Sequence, residues 1–436
     1  MLERLLYADL LNWRLKPERK PVLLDGARQV GKTWLIEQLF GFRQFRKVHK
    51  LDFRAEPGLV DLFLESLEPR VIISKIELRL NRAINIEKDL IFFDEVGECQ
   101  PAIDSLKYFA ENLPQAFVCA SGSNIGLLDS FPVGKVQQLE LFPLCFEEFI
   151  MASGQTMLLK AFREQEKSQA VHQLLWSQLL DYYFVGGMPE AVVSWFKTEA
   201  STHTRVHNIV QIHADLIAGY QRDFGKYGGK YHAQHIEAVF HNVPRQLAAT
   251  QDGSVQRFKF KGVIEKKRRY KELQGPIDWL EKASLVWKCY PIGSKPEVPL
   301  PARVKANIFK LYLFDVGLLG HMLGMTYADQ RDQRMSHKGY IAENFVLTEL
   351  RARVAYPLYS WEQARAEVEF LHRCNDGEVI PVEVKSGKRT QARSLRSYID
   401  RYAPARAIKL IGGLGGNPDG TLQVWPLYYA QYLRDL

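Results

Sequence analysis

PVLLDGARQVGKTWLIEQLF, residues 21–40, passes from an apolar strand (Val22 to Leu24) through a glycine-rich turn into an amphipathic helix that begins near Lys32. Gly26 and Gly31 bracket Ala27, Arg28, Gln29 and Val30. Successive backbone N–H groups can then turn inward at the positive end of the following helix, which is how a loop surrounds a phosphate chain. In such a loop Lys32 would reach the β- and γ-phosphates. Thr33 would offer its hydroxyl to Mg2+, a hard cation that prefers oxygen ligands and keeps several waters. The cofactors expected from this stretch are ATP and Mg2+.

Further along, the apolar run from Asp89 to Phe93 ends in Asp94-Glu95. Two carboxylates at the carboxyl end of a buried parallel strand lie where open α/β sheets bind their ligands. Asp94 would hold the metal through water, and Glu95 would orient or polarise the attacking water. A third strand, Gln115 to Ala120, runs into Ser121-Gly122-Ser123-Asn124. Two readings of that turn stand side by side: Ser123 or Asn124 senses the γ-phosphate, or these residues only make a turn and cap the next helix.

The chain has 436 residues, too many for one ordinary core, and about three domains follow from typical domain size. Forty-six per cent hydrophobic and 25% charged residues fit a globular protein rather than a disordered or membrane one. No stretch reaches the roughly 18 apolar residues of a spanning helix. The N-terminal segment carries Glu3, Arg4 and Asp9 where a signal core would be apolar, so it reads as a folded helix. Five scattered cysteines suit neither a disulfide framework nor a zinc pair, and a reducing cytoplasm is the expected setting. The net charge of +8 favours an acidic partner such as nucleic acid.

From about 155 to 235 the pattern is helical, with Gly186-Gly187 and Pro189 marking either a hinge or a packing turn. Residues 258–271, FKFKGVIEKKRRYK, hold seven basic residues against one acidic, with Phe258, Phe260 and Tyr270 interleaved. The basic tract 259–271 is either a path for a DNA backbone or a solvated face. A helix and then a strand follow, so a winged helix is expected over 236–305.

The order of strand, phosphate loop, Asp-Glu strand and polar sensor strand resembles an AAA+-like P-loop ATPase. The segments GKVQQLELFPLCFEEF (134–149), YFVGGMPEAV (183–192), KLYLFDVGLL (310–319) and GYIAENFVLTEL (339–350) narrow the resemblance. They look like a prokaryotic family that joins such an ATPase to a C-terminal restriction-endonuclease-like, PD-(D/E)xK, domain of unknown function. The resemblance covers residues 20 to 430 or so. It implies ATP binding by Gly31, Lys32, Thr33 and Asp94, a hydrolytic Glu95, and Ser123 or Asn124 as sensor. Relatives carry arginine near Gly134-Lys135-Val136, and Lys135 lacks the planar fork that a phosphate-clamping arginine offers. Arg28 and Arg222 are the alternatives for an arginine finger, against the plainer reading of solvated or ion-paired residues.

In the nuclease-like fold two or three carboxylates surround a divalent metal that activates water. Carried over residue by residue, Glu369 takes the usual aspartate position, Glu383 and Lys385 match the Glu-x-Lys element, and Glu343 matches the helical acid. The longer Glu369 side chain shifts the metal ligand, so a retained fold with lost chemistry is the competing reading.

The fold class expected is therefore α/β: a P-loop NTPase, AAA+-like parallel sheet, followed by helical and winged-helix segments and an α+β nuclease-like C-terminal domain. The expected divisions are 1–155 (ATPase), 156–235 (helical lid), 236–305 (winged-helix-like) and 306–436 (nuclease-like). The function expected is Mg-dependent ATP binding and hydrolysis, coupled to a C-terminal half that binds DNA or a partner and cuts DNA if its carboxylates take metal. The alternative is an ATP-dependent switch that regulates a protein partner. No membrane is expected, and a homo-oligomer is in keeping with AAA+-like sites completed between subunits.

Overall fold

A computed structural model describes residues 2–123, 125–127, 131–197, 201–249, 257–332, 339–352, 357–364, 366–387 and 392–436. It divides into two compact units, residues 1–142 with 282–284, and residues 143–281 with 285–436.

The first unit is built on a sheet of five strands: β1 (Val22–Asp25), β2 (Val48–Asp52), β3 (Leu90–Asp94), β4 (Phe117–Ser121) and β5 (Gln137–Glu140). All pair in parallel, in the order β2-β3-β4-β1-β5. Every residue of β3 and β4 is buried, as expected of central strands covered on both faces. The helices Pro69–Leu80 and Gln100–Asn112 contribute Ile72, Ile76, Ile103, Leu106 and Phe109 to one apolar core beside Ile91, Phe93 and Val118. The N-terminal residues form a helix, Tyr7–Arg14, whose Trp13 packs on Phe40 and Phe117. At the foot of β3 the buried Asp89 takes two bonds from Arg46 at 2.8 Å and faces His49 at 3.2 Å. This anchors β2 to β3 through a carboxylate that burial alone would not favour.

The helix after the loop, Trp34–Gly41, is wound in wide π-type turns, and the Phe42 N–H closes it onto the Glu37 carbonyl five residues back. Such turns recur at functional sites. Gly41 ends it where a Cβ would lie 2.7 Å from Val48 Cγ2. Only glycine lets β2 approach so closely.

The second unit contains an eight-stranded mixed sheet of β6 (Val286–Ile292), β7 (Lys310–Leu313), β8 (Leu358–Gln363), β9 (Ala366–Arg373), β10 (Val379–Lys385), β11 (Ala407–Ile411), β12 (Gly416–Asp419) and β13 (Leu422–Pro426). The order is β12-β13-β11-β10-β9-β8-β6-β7. Helices Gly339–Arg351 and Arg393–Tyr402 belong to the same unit.

The first compact unit runs to Phe142. Two findings differ from the sequence-based reading. Residues 236–248 do not open a winged helix. They close a single 47-residue helix, Thr202–Ala248, that runs through Pro244. Finally, β6, which falls within the expected winged-helix segment, pairs in parallel with β8 and extends the C-terminal sheet. The physical reason is shared: tertiary packing decides where a locally plausible helix or strand belongs.

The four segments that carried the family resemblance contribute to one buried network in the second unit. Asp315 accepts hydrogen bonds from Gly187 N–H at 2.7 Å and Leu318 N–H at 2.9 Å, which joins the Gly186-Gly187 turn to the cap of helix Val316–Met322. A Cβ at Gly186 would lie 2.2 Å from that carboxylate, and one at Gly317 would lie 2.6 Å from Gly186 N. Asn344 binds both backbone groups of Leu313 at 2.9 Å. Glu349 accepts the Phe146 N–H at 2.9 Å.

Candidate functional site

The phosphate loop is shaped by residues in the left-handed region: Gly26 at φ 142°, Gln29 at 64° and Gly31 at 93°. Gly26 has a further constraint, since a Cβ there would lie 2.2 Å from the Leu141 carbonyl oxygen. Arg4 steadies the loop from outside by donating to the Val30 carbonyl at 2.8 Å and the Phe142 carbonyl at 2.6 Å. Lys32 folds back over the loop. Its Nζ donates to the Gly26 and Ala27 carbonyls, both at 2.8 Å. Burial lowers the Lys32 ammonium to about 8 against the attraction of Glu95 and Asp25. Burial likewise raises Asp25 to about 6, with the Gly26 N–H and Lys32 pulling the other way.

Asp94 is 3% exposed and lies opposite the loop. Thr33 Oγ1 stands 3.0 Å from both of its carboxylate oxygens, Ser121 Oγ donates to Oδ1 at 2.6 Å, and Lys50 Nζ lies 3.0 Å from Oδ2. The strand order explains this convergence, because β4 lies between β1 and β3 and delivers Ser121 to the gap between the loop and Asp94. Glu95 follows in a left-handed conformation at φ 51°, ψ 44° and is half-buried. A non-glycine residue there is strained and turns its side chain off the strand direction. Adjacent carboxylates of one strand would otherwise face opposite ways.

A further hydroxyl stands beside the two sensor candidates. Ser121, not Ser123, touches Asp94; Ser123 is buried, and Asn124 lies outside the described residues. A lone hydroxyl at the end of an otherwise apolar, fully buried strand is the signal that marks Ser121. Among the arginine-finger alternatives, Lys135 pairs with Glu111 at 2.7 Å, Arg28 is half-buried in the loop, and Arg222 is exposed in the second unit.

The C-terminal carboxylates gather around two lysines. Lys385 Nζ lies 2.8 Å from Glu369 and 3.1 Å from Glu383, and the second Glu369 oxygen accepts the Val384 N–H at 3.0 Å. Lys310, 4% exposed on β7, lies 3.7 Å from Glu343 and pairs with Glu367, while Tyr312 donates to Glu343 at 3.1 Å. Burial pulls both ammonium groups down, but the surrounding carboxylates outweigh it and hold them above the ordinary lysine range. Burial also raises Glu383 to about 7, helped by Glu369, and raises Glu367 to about 7 against Lys310. One Glu383 oxygen is buried with no hydrogen-bond partner. The expected metal set of Glu343, Glu369 and Glu383 is thus divided between two ammonium groups, and no His, Cys, Asp or Glu group of three or more that could hold a metal ion occurs among the described residues. Lys310 and Glu367 were not expected from sequence, because β7 meets β9 only through two intervening strands.

The basic tract keeps its charges outward, with Lys259, Lys261, Lys266, Arg268, Arg269 and Lys271 exposed. Its aromatic residues do not join them. Phe258, Phe260 and Tyr270 pack on the buried Phe309 with ring centroids 5.7–6.4 Å apart; Phe258 is buried and the other two half-buried, so they face inward rather than standing out as stacking platforms for bases. All five cysteines are free and buried, and no helix among the described residues is long and apolar enough to cross a membrane.

Comparison with known proteins gives three segments. Residues 18–150 match a family described as an AAA domain, which agrees with the parallel five-stranded sheet and the loop geometry. Residues 177–329 and 338–429 match two domains of unknown function, DUF8612 and DUF4143. No curated protein matches the sequence. A solved structure of Drosophila ORC bound to DNA is similar at 12% identity, covering 73% of this chain and 93% of that chain, with a TM-score of 0.25. That likeness is too loose to bear on fold or function.

Proposed function

We propose that this chain is a Mg2+-dependent ATPase whose nucleotide cycle governs the binding of DNA or a protein partner by its C-terminal half. The observation that carries the reading is the convergence of Thr33, Ser121 and Lys50 on Asp94 opposite a glycine-shaped loop. The donor set suits the cofactor: a hydroxyl and a carboxylate are hard oxygen ligands, and a buried ammonium faces the loop interior. Thr33 and Asp94 would hold Mg2+, which when bound would supply charge neutralisation at the phosphates. Lys32 would exchange the Gly26 and Ala27 carbonyls for phosphate oxygens. The loop N–H groups of Ala27 to Thr33 would fix the phosphate chain, and Glu95 would orient the attacking water along the in-line axis.

The test is hydrolysis of ATP with Mg2+ by wild type, Lys32→Ala and Glu95→Gln. The reading expects measurable turnover in wild type, loss of both binding and turnover in Lys32→Ala, and retained binding with turnover reduced about 10²-fold or more in Glu95→Gln. Unchanged turnover in Glu95→Gln removes the role given to that side chain.

For the C-terminal half, the lysine-neutralised carboxylates and the inward-facing aromatics favour the non-nucleolytic reading, a binding module that responds to nucleotide. Incubation of supercoiled plasmid with Mg2+ or Mn2+ checks it. Cleavage by wild type that disappears in Glu383→Ala would restore the nuclease reading.

A further inference from the structure

Lys50 has no part in the phosphate loop, yet its ammonium makes the closest cationic contact of the Asp94 carboxylate, 3.0 Å from Oδ2. It extends from the partly exposed face of β2 and is 26% exposed, so it reaches the carboxylate from the rim while Thr33 and Ser121 reach it from within. Two further acids flank the same ammonium, Glu37 at 3.6 Å and Asp52 at 3.9 Å. A carboxylate 3% exposed requires a compensating positive charge, and Lys50 supplies it. An ammonium and a divalent cation cannot both lie against the same oxygen without strong repulsion.

We propose that Lys50 is a built-in stand-in for the metal: it neutralises Asp94 in the empty site, must yield that oxygen when Mg2+ arrives with ATP, and then rests on Glu37 and Asp52. Lys50 is therefore a positioning residue that sets how much Mg2+ the site requires, and it keeps the empty site closed to metal alone. The inference rests on the assignment of Asp94 to the metal side of an ATP site.

The experiment has two arms, on folded wild type, Lys50→Met, Lys50→Arg and the double variant Lys50→Met/Asp94→Asn. In the first, Mn2+ alone is titrated into nucleotide-free protein and free Mn2+ is read by electron paramagnetic resonance. Lys50→Met should bind Mn2+ at least tenfold more tightly than wild type, Lys50→Arg should resemble wild type, and the double variant should lose the gain. In the second, Mg2+ is titrated at fixed fluorescent ATP analogue, and the half-saturating Mg2+ should fall at least fivefold in Lys50→Met. Equal metal binding by wild type and Lys50→Met overturns the proposal. So does a loss of analogue binding in Lys50→Met at saturating Mg2+, which would make Lys50 a phosphate ligand. If wild type binds no analogue under any condition, the ATP reading fails, and the Mn2+ arm still decides whether Lys50 guards Asp94.

Discussion

Asp94 at the end of β3 and Glu383 in β10 are both strand carboxylates under 4% exposed, and both have a lysine against them. The rest of their surroundings is opposed. Asp94 faces two hydroxyls, and its lysine comes from the rim with other acids to fall back on. Glu383 shares the partly exposed Lys385 with Glu369, and its second oxygen has no partner. Hydroxyls can hand a carboxylate over to a metal, since each can become a ligand or bind its water. An ammonium shared by two buried carboxylates cannot leave without abandoning two charges. The first arrangement is open to chemistry and the second is closed upon itself.

The strongest way to break this contrast is Asp94→Asn, which should abolish the Mg2+ dependence of nucleotide binding and lower turnover at least 10²-fold. Turnover within a few-fold of wild type would show that Asp94 is no different from the C-terminal acids. Next in size is Lys310→Met. It leaves Glu343 and Glu367 buried without their cation and should cost about 3–5 kcal/mol, read from the urea midpoint of the second unit's tryptophan signal. No loss there, with gain of metal binding, would turn the closed site into an open one.

A pH test sharpens the same point. Burial raises Glu349 to about 8, and its Oε2 has no hydrogen-bond partner. The folded state thus keeps a proton that the unfolded state releases near the ordinary glutamate value, so stability is fullest at low pH and declines as pH rises towards about 8. Glu349→Gln copies the protonated form and should flatten that decline, leaving the variant more stable than wild type at pH 8 and above. Thermal unfolding across pH 5 to 9 measures it. The smallest effect concerns Ser121→Ala, which removes one hydrogen bond to Asp94 and should weaken Mg-nucleotide binding about three- to tenfold. A larger loss would make Ser121 a direct ligand.

The phosphate loop was legible because all its parts are consecutive: two glycines, a lysine and a threonine between strand and helix need no knowledge of the fold. Asp94 was legible for a similar reason, as the first charge after an apolar run. Ser121 was not, because its significance depends on β4 lying between β1 and β3, and a strand order cannot be read from local pattern. The winged helix failed because its first residues close a 47-residue helix, Thr202–Ala248, and the strand that follows pairs with β8 of the C-terminal sheet. The aromatic residues of the basic tract alternate with lysines as a nucleic-acid path would. Only the position of the buried Phe309, far along the chain, shows that they face inward.

The contacts among Gly186, Gly187, Asp315 and Gly317 imply something about how such chains diverge. With 2.2 Å between a Cβ at Gly186 and the Asp315 carboxylate, neither position has room to change alone, and an added methyl on one side would have to be matched by a shortened side chain on the other. A substitution on one side is therefore tolerated only with a compensating one on the other.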